Sequence, residues 1–143
     1  MLAGVLDGLD AAIVITLLNH VSPVRIFQFI ASGLIGVRAF HLGGAAAALG
    51  VVLHFTIATG AAAVFYLLSL KWPSVIRRPL VCGPIYGLGV FAFMHYIVVP
   101  LSAAPKQPPA GAVSLLNLIF SHVFFVGVPI ALVTRRNRNI TAV

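Results

Sequence analysis

Residues 45–70 read AAAALGVVLHFTIATGAAAVFYLLSL, an unbroken apolar run without Asp, Glu, Lys or Arg. A helix of about 20 apolar residues crosses the hydrocarbon layer of a membrane, and this run is longer. His54 is the one side chain of this run that is costly to place in a membrane, and ionisable residues are rare there for this reason. The sequence therefore predicts a membrane-spanning helix here, around which the remaining segments are arranged.

The composition also places the chain in a membrane. Of 143 residues, 61% are hydrophobic and 8% are charged, whereas about a quarter of the residues of soluble domains are charged. The length accommodates one compact bundle, so we expect a single domain. Nine Lys and Arg against two acids give a net charge of +7. They lie in short segments beside apolar runs, which indicates topology signals and lipid headgroups as partners, and not nucleic acid.

Three further segments are long enough to cross a membrane. The predicted spans are residues 2–19, 45–70, 79–101 and 111–134. The segment 24–37 is shorter and carries Arg25, Gln28 and Ser32 at helical spacing, which indicates an interfacial or re-entrant helix. A loop packed on the bundle is the alternative. The predicted fold is an all-α bundle of four transmembrane helices with this short helix between the first and second.

The basic residues predict the orientation of the spans. With the amino terminus inside, the cytoplasmic side carries Lys71, Arg77, Arg78, Arg135, Arg136 and Arg138, and the other side carries Arg25, Arg38 and Lys106. Cytoplasmic loops carry the excess of basic residues in membrane proteins. Both termini are therefore predicted to be cytoplasmic.

Small residues recur at helical spacing in two of the spans. They are Ala46, Gly50, Ala58 and Ala62 in the second span, and Gly83 and Gly87 in the third. Stripes of small residues allow the backbones of two membrane helices to approach closely. These six positions are predicted to pack against neighbouring helices.

Three predicted spans each carry a histidine at a similar depth. His54 and His95 are each seventeen residues from the nearest cytoplasmic basic residue, which is about 25 Å along a helix. His122 is thirteen residues from Arg135, or about 20 Å. The histidines therefore define one predicted layer.

The other polar residues of the spans are predicted at other depths. Asn117 is further outward than His122 on the fourth span. Asp10 lies about 14 Å from the start of the first span, counted as a helix, and Asp7 shares its helix face. The two acids are therefore predicted to form a separate, lower layer.

Three interpretations of these polar residues compete. In the first, each side chain hydrogen-bonds a neighbouring helix and fixes its register, as buried polar groups in membranes usually do. In the second, the histidines and the acids form a proton or ion path. In the third, two or three imidazoles bind haem or zinc. We favour the first and predict no cofactor, because no HExxH or CxxCH pattern is present.

Four short segments resemble a family of small bacterial inner-membrane proteins, a domain of unknown function with four predicted helices. The segments are IASGLIG (30–36), LHFTIA (53–58), VVPLSA (98–103) and GVPIAL (127–132). The resemblance implies the four-helix topology and a bacterial inner membrane, but no activity. The family pattern MNxVVLPLSA has Asn where this chain has His95 in MHYIVVPLSA, which favours a hydrogen-bonding role that Asn also fills.

The leading functional hypothesis is a structural or accessory membrane component, packed as a homo-oligomer or within a larger membrane complex. A proton-coupled transporter or channel that uses the histidine layer is the alternative, and a haem- or metal-binding subunit is third. No nucleophile elbow, phosphate loop or dinucleotide fingerprint is present, so no residue pattern indicates an enzyme.

Overall fold

The computed structural model describes residues 2–107 and 111–141. Every regular element within these two ranges is a helix, and they contain no strand. The predicted all-α fold class is confirmed for this part of the chain.

Six helices follow one another in the described residues, and we number them α1 to α6. Helix α1 comprises Leu2–Asp10, a π-helical turn at Ala11–Ile15, and Thr16–Asn19. Helix α2 comprises Pro23–Ile35 and the 3₁₀ turns Gly36–His41. Helix α3 is Gly43–Lys71, and the short α4 is Ser74–Arg77. Helix α5 comprises Pro79–Phe93, a π-helical turn at Met94–Val98, and Val99–Leu101. Helix α6 comprises Ala112–Ser121, a π-helical turn at His122–Gly127, and Val128–Thr141.

Four helices in the described ranges are long and apolar enough to cross a membrane. They are Pro23–His41, Gly43–Lys71, Pro79–Leu101 and Ala112–Arg138. Three of them coincide with the predicted spans on α3, α5 and α6. The fourth is α2 and not α1, and α2 is longer than the predicted segment 24–37. Helix α2 is longer because 3₁₀ turns continue it after Gly36. Gly36 has a φ of +66°, a left-handed backbone conformation that favours glycine.

Local signals in the sequence explain where α2 and α5 begin. The Ser22 hydroxyl accepts a hydrogen bond from the Arg25 backbone N–H at 3.3 Å, so Ser22 caps α2. Pro23 and Pro79 occupy the first positions of α2 and α5, where a missing backbone N–H costs little. Each start therefore has a capping group or a proline in its sequence.

Helices α2 and α3 form a close antiparallel pair. Gly50 lies directly against the backbone of Phe27, where a Cβ atom would clash with the carbonyl group. Ala46 is buried with Ala31 and Ala39 in one apolar cluster. Small side chains therefore bring these two helices together, as helices in membranes usually pack.

Helices α5 and α6 pack equally closely. A Cβ atom on Gly83 would lie 2.9 Å from the Gly127 carbonyl oxygen, and one on Gly87 would clash with the His122 carbonyl group. On α3, Ala62 packs against the central apolar cluster, and Ala58 lies beside Gly4 of α1. These are the places of the remaining predicted packing residues.

Helix α1 begins partway along the bundle. Ala3 is buried in the central cluster with Phe65 of α3 and with Val126 and Ile130 of α6. Val126 lies near the middle of α6, so the first turn of α1 is already deep in the bundle. From there α1 runs antiparallel to α6, which brings Asp7 and Asp10 to the first half of α6.

Candidate functional site

Two carboxyl groups of α1 bind two polar side chains of α6. The Ser121 hydroxyl donates to Asp7 Oδ1 at 2.7 Å, and Asn117 Nδ2 donates to Asp10 Oδ2 at 3.1 Å. Residues three apart on α1 thus face residues four apart on α6, the spacing at which side chains share one helix face. We call these four residues the polar ladder.

The polar ladder lies in the interior of the bundle. Asp10 is 8% exposed and Ser121 is 2% exposed, while Asp7 and Asn117 are half-buried. Among residues 2–107 and 111–141, no Lys or Arg forms a salt bridge with either carboxyl group. Both acids therefore rely on neutral donors, although an unpaired charge in an apolar interior is expensive.

The prediction that Asp7 and Asp10 form a separate, lower layer is wrong. Asp10 is paired with Asn117, the residue placed furthest outward by counting along the predicted span. Counting from the first residue of α1 assumes that this helix begins at the same end of the bundle as the others. Helix α1 begins partway along the bundle, beside Val126 and Ile130. Both acids therefore lie closer to the first residues of α6 than the count predicts.

His54 joins α3 to α1. Its Nε2 atom lies 2.8 Å from the Gly4 carbonyl oxygen, and a carbonyl oxygen only accepts hydrogen bonds, so Nε2 carries the proton. The ring meets Phe27 and Phe55 edge to face at 6.2 and 5.5 Å. A Cβ atom on Gly8 would lie 3.2 Å from Nε2, so the imidazole fits where α1 has glycines.

His122 makes its hydrogen bond within its own helix. Its Nδ1 atom donates to the Leu118 carbonyl oxygen at 2.9 Å, by the same reasoning on the tautomer. Its ring meets Phe91 of α5 edge to face at 5.7 Å. His122 thus contacts α5 through its ring and through the close approach of its backbone carbonyl to Gly87.

His95 differs from the other two histidines because its side chain is exposed on the outer surface of α5. Its ring stacks on Phe91 at 5.4 Å and meets Tyr96 at 4.9 Å. It forms no hydrogen bond within the part of the chain that the structure describes. Tyr96, beside it, is 68% exposed. An imidazole and a phenol therefore face outward on a helix that is otherwise apolar.

The structure does not bring the three histidines together in one site. His95 and His122 both contact the Phe91 ring, whereas His54 contacts α1 and α2. No group of three or more His, Cys, Asp or Glu side chains in the described ranges could hold a metal ion. Each histidine must therefore be interpreted by its own surroundings.

Three π-helical turns adjoin these polar residues, and sequence reasoning missed them. One begins directly after Asp10, one contains His95, and one begins at His122. Single π-helical turns inside α-helices often occur at functional sites. No residue pattern marks them in advance, because apolar residues form most of each turn.

Sequence reasoning also missed a contact between α3 and α5. The Tyr86 hydroxyl donates to the Ala61 carbonyl oxygen at 2.6 Å, and its ring meets the buried Phe65 at 4.9 Å. The signal was a tyrosine one turn away from Gly83 on the predicted packing face. This hydrogen bond holds α3 against the α5 and α6 pair.

Comparison with known proteins gave no further indication of function. No family model, no curated protein and no solved structure matches the chain. The site is therefore interpreted from its own geometry.

Proposed function

We propose that the chain is a small integral membrane protein with a structural or accessory role, which assembles with another membrane helix through α5. Four long apolar helices support insertion into a membrane. The basic residues favour a cytoplasmic position for the end of the bundle that holds the carboxyl terminus, and the four segments that resemble bacterial proteins favour a bacterial inner membrane and membership of that family. The partner is a second copy of this chain or another membrane subunit.

The outward-facing imidazole of His95 is the observation that carries this proposal. The other intramembrane candidates, the polar ladder, His54 and His122, are all hydrogen-bonded within the chain. An exposed imidazole on a membrane-spanning helix loses its hydrogen bonds to water and gains none from lipid. A partner helix that offers a hydrogen-bonding group would satisfy it.

The surface around His95 is shaped for such a partner. Gly89 is exposed on the same helix, six residues before His95, and has no neighbouring atom within 4 Å of a Cβ position. A glycine lets the backbone of a second helix approach closely, and polar side chains then bond across the contact. The proposed contact therefore combines a close approach at Gly89 with hydrogen bonds at His95 and Tyr96.

Photocrosslinking in native membranes tests the proposed contact. We would place benzoylphenylalanine at Tyr96 or, as a control, at Leu116 of α6. These two residues are 68% and 67% exposed, so the two probes are equally accessible. We expect a protein adduct from position 96 and only lipid adducts from position 116, because only the first lies beside the unsatisfied imidazole.

The mass of the adduct identifies the partner. Twice the mass of the chain indicates a second copy, and another mass indicates a different subunit. Monomer alone at both positions would contradict the assembly proposal.

A proton-coupled transporter is a second candidate, favoured by the polar ladder. Asp7 and Asp10 lie in the interior, and their partners among the described residues are neutral. Intramembrane carboxyl groups commonly bind and release protons in transporters. This function would use the acids as proton carriers, with His54 and His122 nearby on α3 and α6. It does not require the contact at His95.

Flux measurements in liposomes test this second candidate. If the polar ladder carries protons, the parent protein gives a proton flux that falls at least tenfold in Asp10→Asn, because an amide cannot carry the proton. Thr56→Val is the matched control, since the Thr56 hydroxyl is exposed and bonds only the Val52 carbonyl of its own helix. Absence of flux from the parent, or equal flux from all three proteins, would remove the candidate.

A further inference from the structure

Five basic side chains lie together at one end of the bundle, and we call them the basic end. They are Lys71, Arg77, Arg78, Arg135 and Arg136. Helix α4 gathers them, because it packs against α3, α5 and α6. Its Val75 and Ile76 side chains are packed against the central apolar cluster. The connection between α3 and α5 is therefore folded onto the bundle and not free to move its charges away.

A sixth basic side chain, that of Arg138, stabilises this arrangement. The Arg138 guanidinium donates a hydrogen bond to the Ser69 carbonyl oxygen near the end of α3. A cation is favourable at the carboxyl end of a helix, where carbonyl groups have no helical partner. The contact holds the end of α6, which carries Arg135 and Arg136, beside the end of α3, which carries Lys71.

No acidic side chain neutralises the basic end. Asp7 and Asp10 are the only acids in the sequence, and both bind polar residues of α6 in the bundle interior. All five side chains of the basic end are exposed. Like charges gathered on one surface repel one another, so this arrangement favours an anion that binds several of them at once.

The surroundings of the basic end indicate which anion it binds. Its side chains lie within about one turn of the ends of three membrane-length helices, the position of lipid headgroups. Trp72 is 51% exposed there, with Lys71 Nζ 5.1 Å from its ring centre. Tryptophan prefers the headgroup level, and arginine binds phosphate oxygens in pairs. We infer that the basic end binds the headgroup phosphate of anionic phospholipids selectively.

Trp72 provides the readout, because it is the only tryptophan in the chain. The protein is placed in phosphatidylcholine nanodiscs that contain a small fraction of brominated phosphatidylglycerol or, in parallel, brominated phosphatidylcholine with the same acyl chains. Bromine quenches tryptophan fluorescence at short range. We expect the anionic lipid to quench Trp72 more strongly than its mole fraction predicts, and this preference to weaken as salt is added.

Charge-matched variants locate the effect. In Arg77→Gln/Arg78→Gln, we expect the preference for the anionic lipid to fall at least about fivefold, since each basic residue near an anionic surface contributes about that factor. Arg25→Gln/Arg38→Gln removes the same charge from the other end of the bundle, and we expect it to leave the preference unchanged. Inorganic phosphate at constant ionic strength should also leave it unchanged.

The outcomes separate this inference from membrane insertion, on which it rests. Quenching by brominated phosphatidylcholine shows that Trp72 lies at the bilayer. If that quenching is absent, insertion itself is contradicted. If both lipids quench according to mole fraction, if the two double variants behave alike, or if free phosphate abolishes the preference, the basic end is not a site for anionic lipid.

Discussion

Replacing Gly87 with alanine is expected to destabilise the folded protein by about 2 to 3 kcal/mol, the upper part of the range for overpacked sites. A Cβ atom at this position would clash with the His122 carbonyl group and lie 2.9 Å from Val123 Cα. Both are backbone atoms, so no side-chain rotation relieves the clash. Helices α5 and α6 would have to separate, which would also disturb Phe91 and His122.

Gly60→Ala, inside α3, is the matched control, because Gly60 lies outside the contact proposed at His95. A Cβ atom there has no neighbour within 4 Å, and alanine is favoured over glycine inside a helix by up to about 1 kcal/mol. Unfolding in mixed micelles of increasing SDS content, followed by circular dichroism, compares the two variants with the parent. We expect the midpoint to fall for Gly87→Ala and to stay or rise for Gly60→Ala. Equal midpoints for the two variants would show that α5 and α6 are not in close contact.

Replacing Asn117 with leucine is expected to destabilise the protein by about 2 kcal/mol, because it leaves the Asp10 carboxyl group without its donor. Asp10 is 8% exposed, and a buried polar group that loses its partner costs about 1 to 3 kcal/mol. Replacing both residues by leucine removes the unsatisfied group, so Asp10→Leu/Asn117→Leu should lie within about 1 kcal/mol of the parent. Asp10→Leu alone should be intermediate.

The same SDS titration measures the coupling between these two positions. Residues in direct contact give double variants whose effects do not add. We expect a coupling of about 2 kcal/mol or more between Asp10 and Asn117. Effects that simply add would contradict the direct contact and separate α1 from α6 at this level.

The fold class and the close helix packing can be predicted from patterns within single segments of the sequence. The apolar run at 45–70 and the runs at 79–101 and 111–134 predict α3, α5 and α6, because length and hydropathy suffice for that inference. Helix α2 is harder to predict. Gly36 interrupts it, and the sequence does not show that 3₁₀ turns continue to His41.

The pairing of polar residues depends on the relative positions of whole helices, which the sequence does not contain. The spacing of Asp7 and Asp10 predicts a shared helix face, but Ser121 and Asn117 become their partners only because α1 begins beside Val126. The π-helical turns add to this difficulty. Each wide turn rotates the residues that follow it, so the outward direction of His95 cannot be obtained by counting in steps of 100°.

The central claim is that α5 contacts a partner helix through His95. The most direct test asks whether this contact requires a hydrogen-bonding side chain at position 95. With benzoylphenylalanine at position 96 in native membranes, the yield of the protein adduct is compared between the parent, His95→Asn and His95→Leu. Asparagine can donate and accept hydrogen bonds and leucine cannot. We expect His95→Asn to retain most of the adduct and His95→Leu to lose at least about tenfold. An undiminished adduct in His95→Leu would contradict the claim.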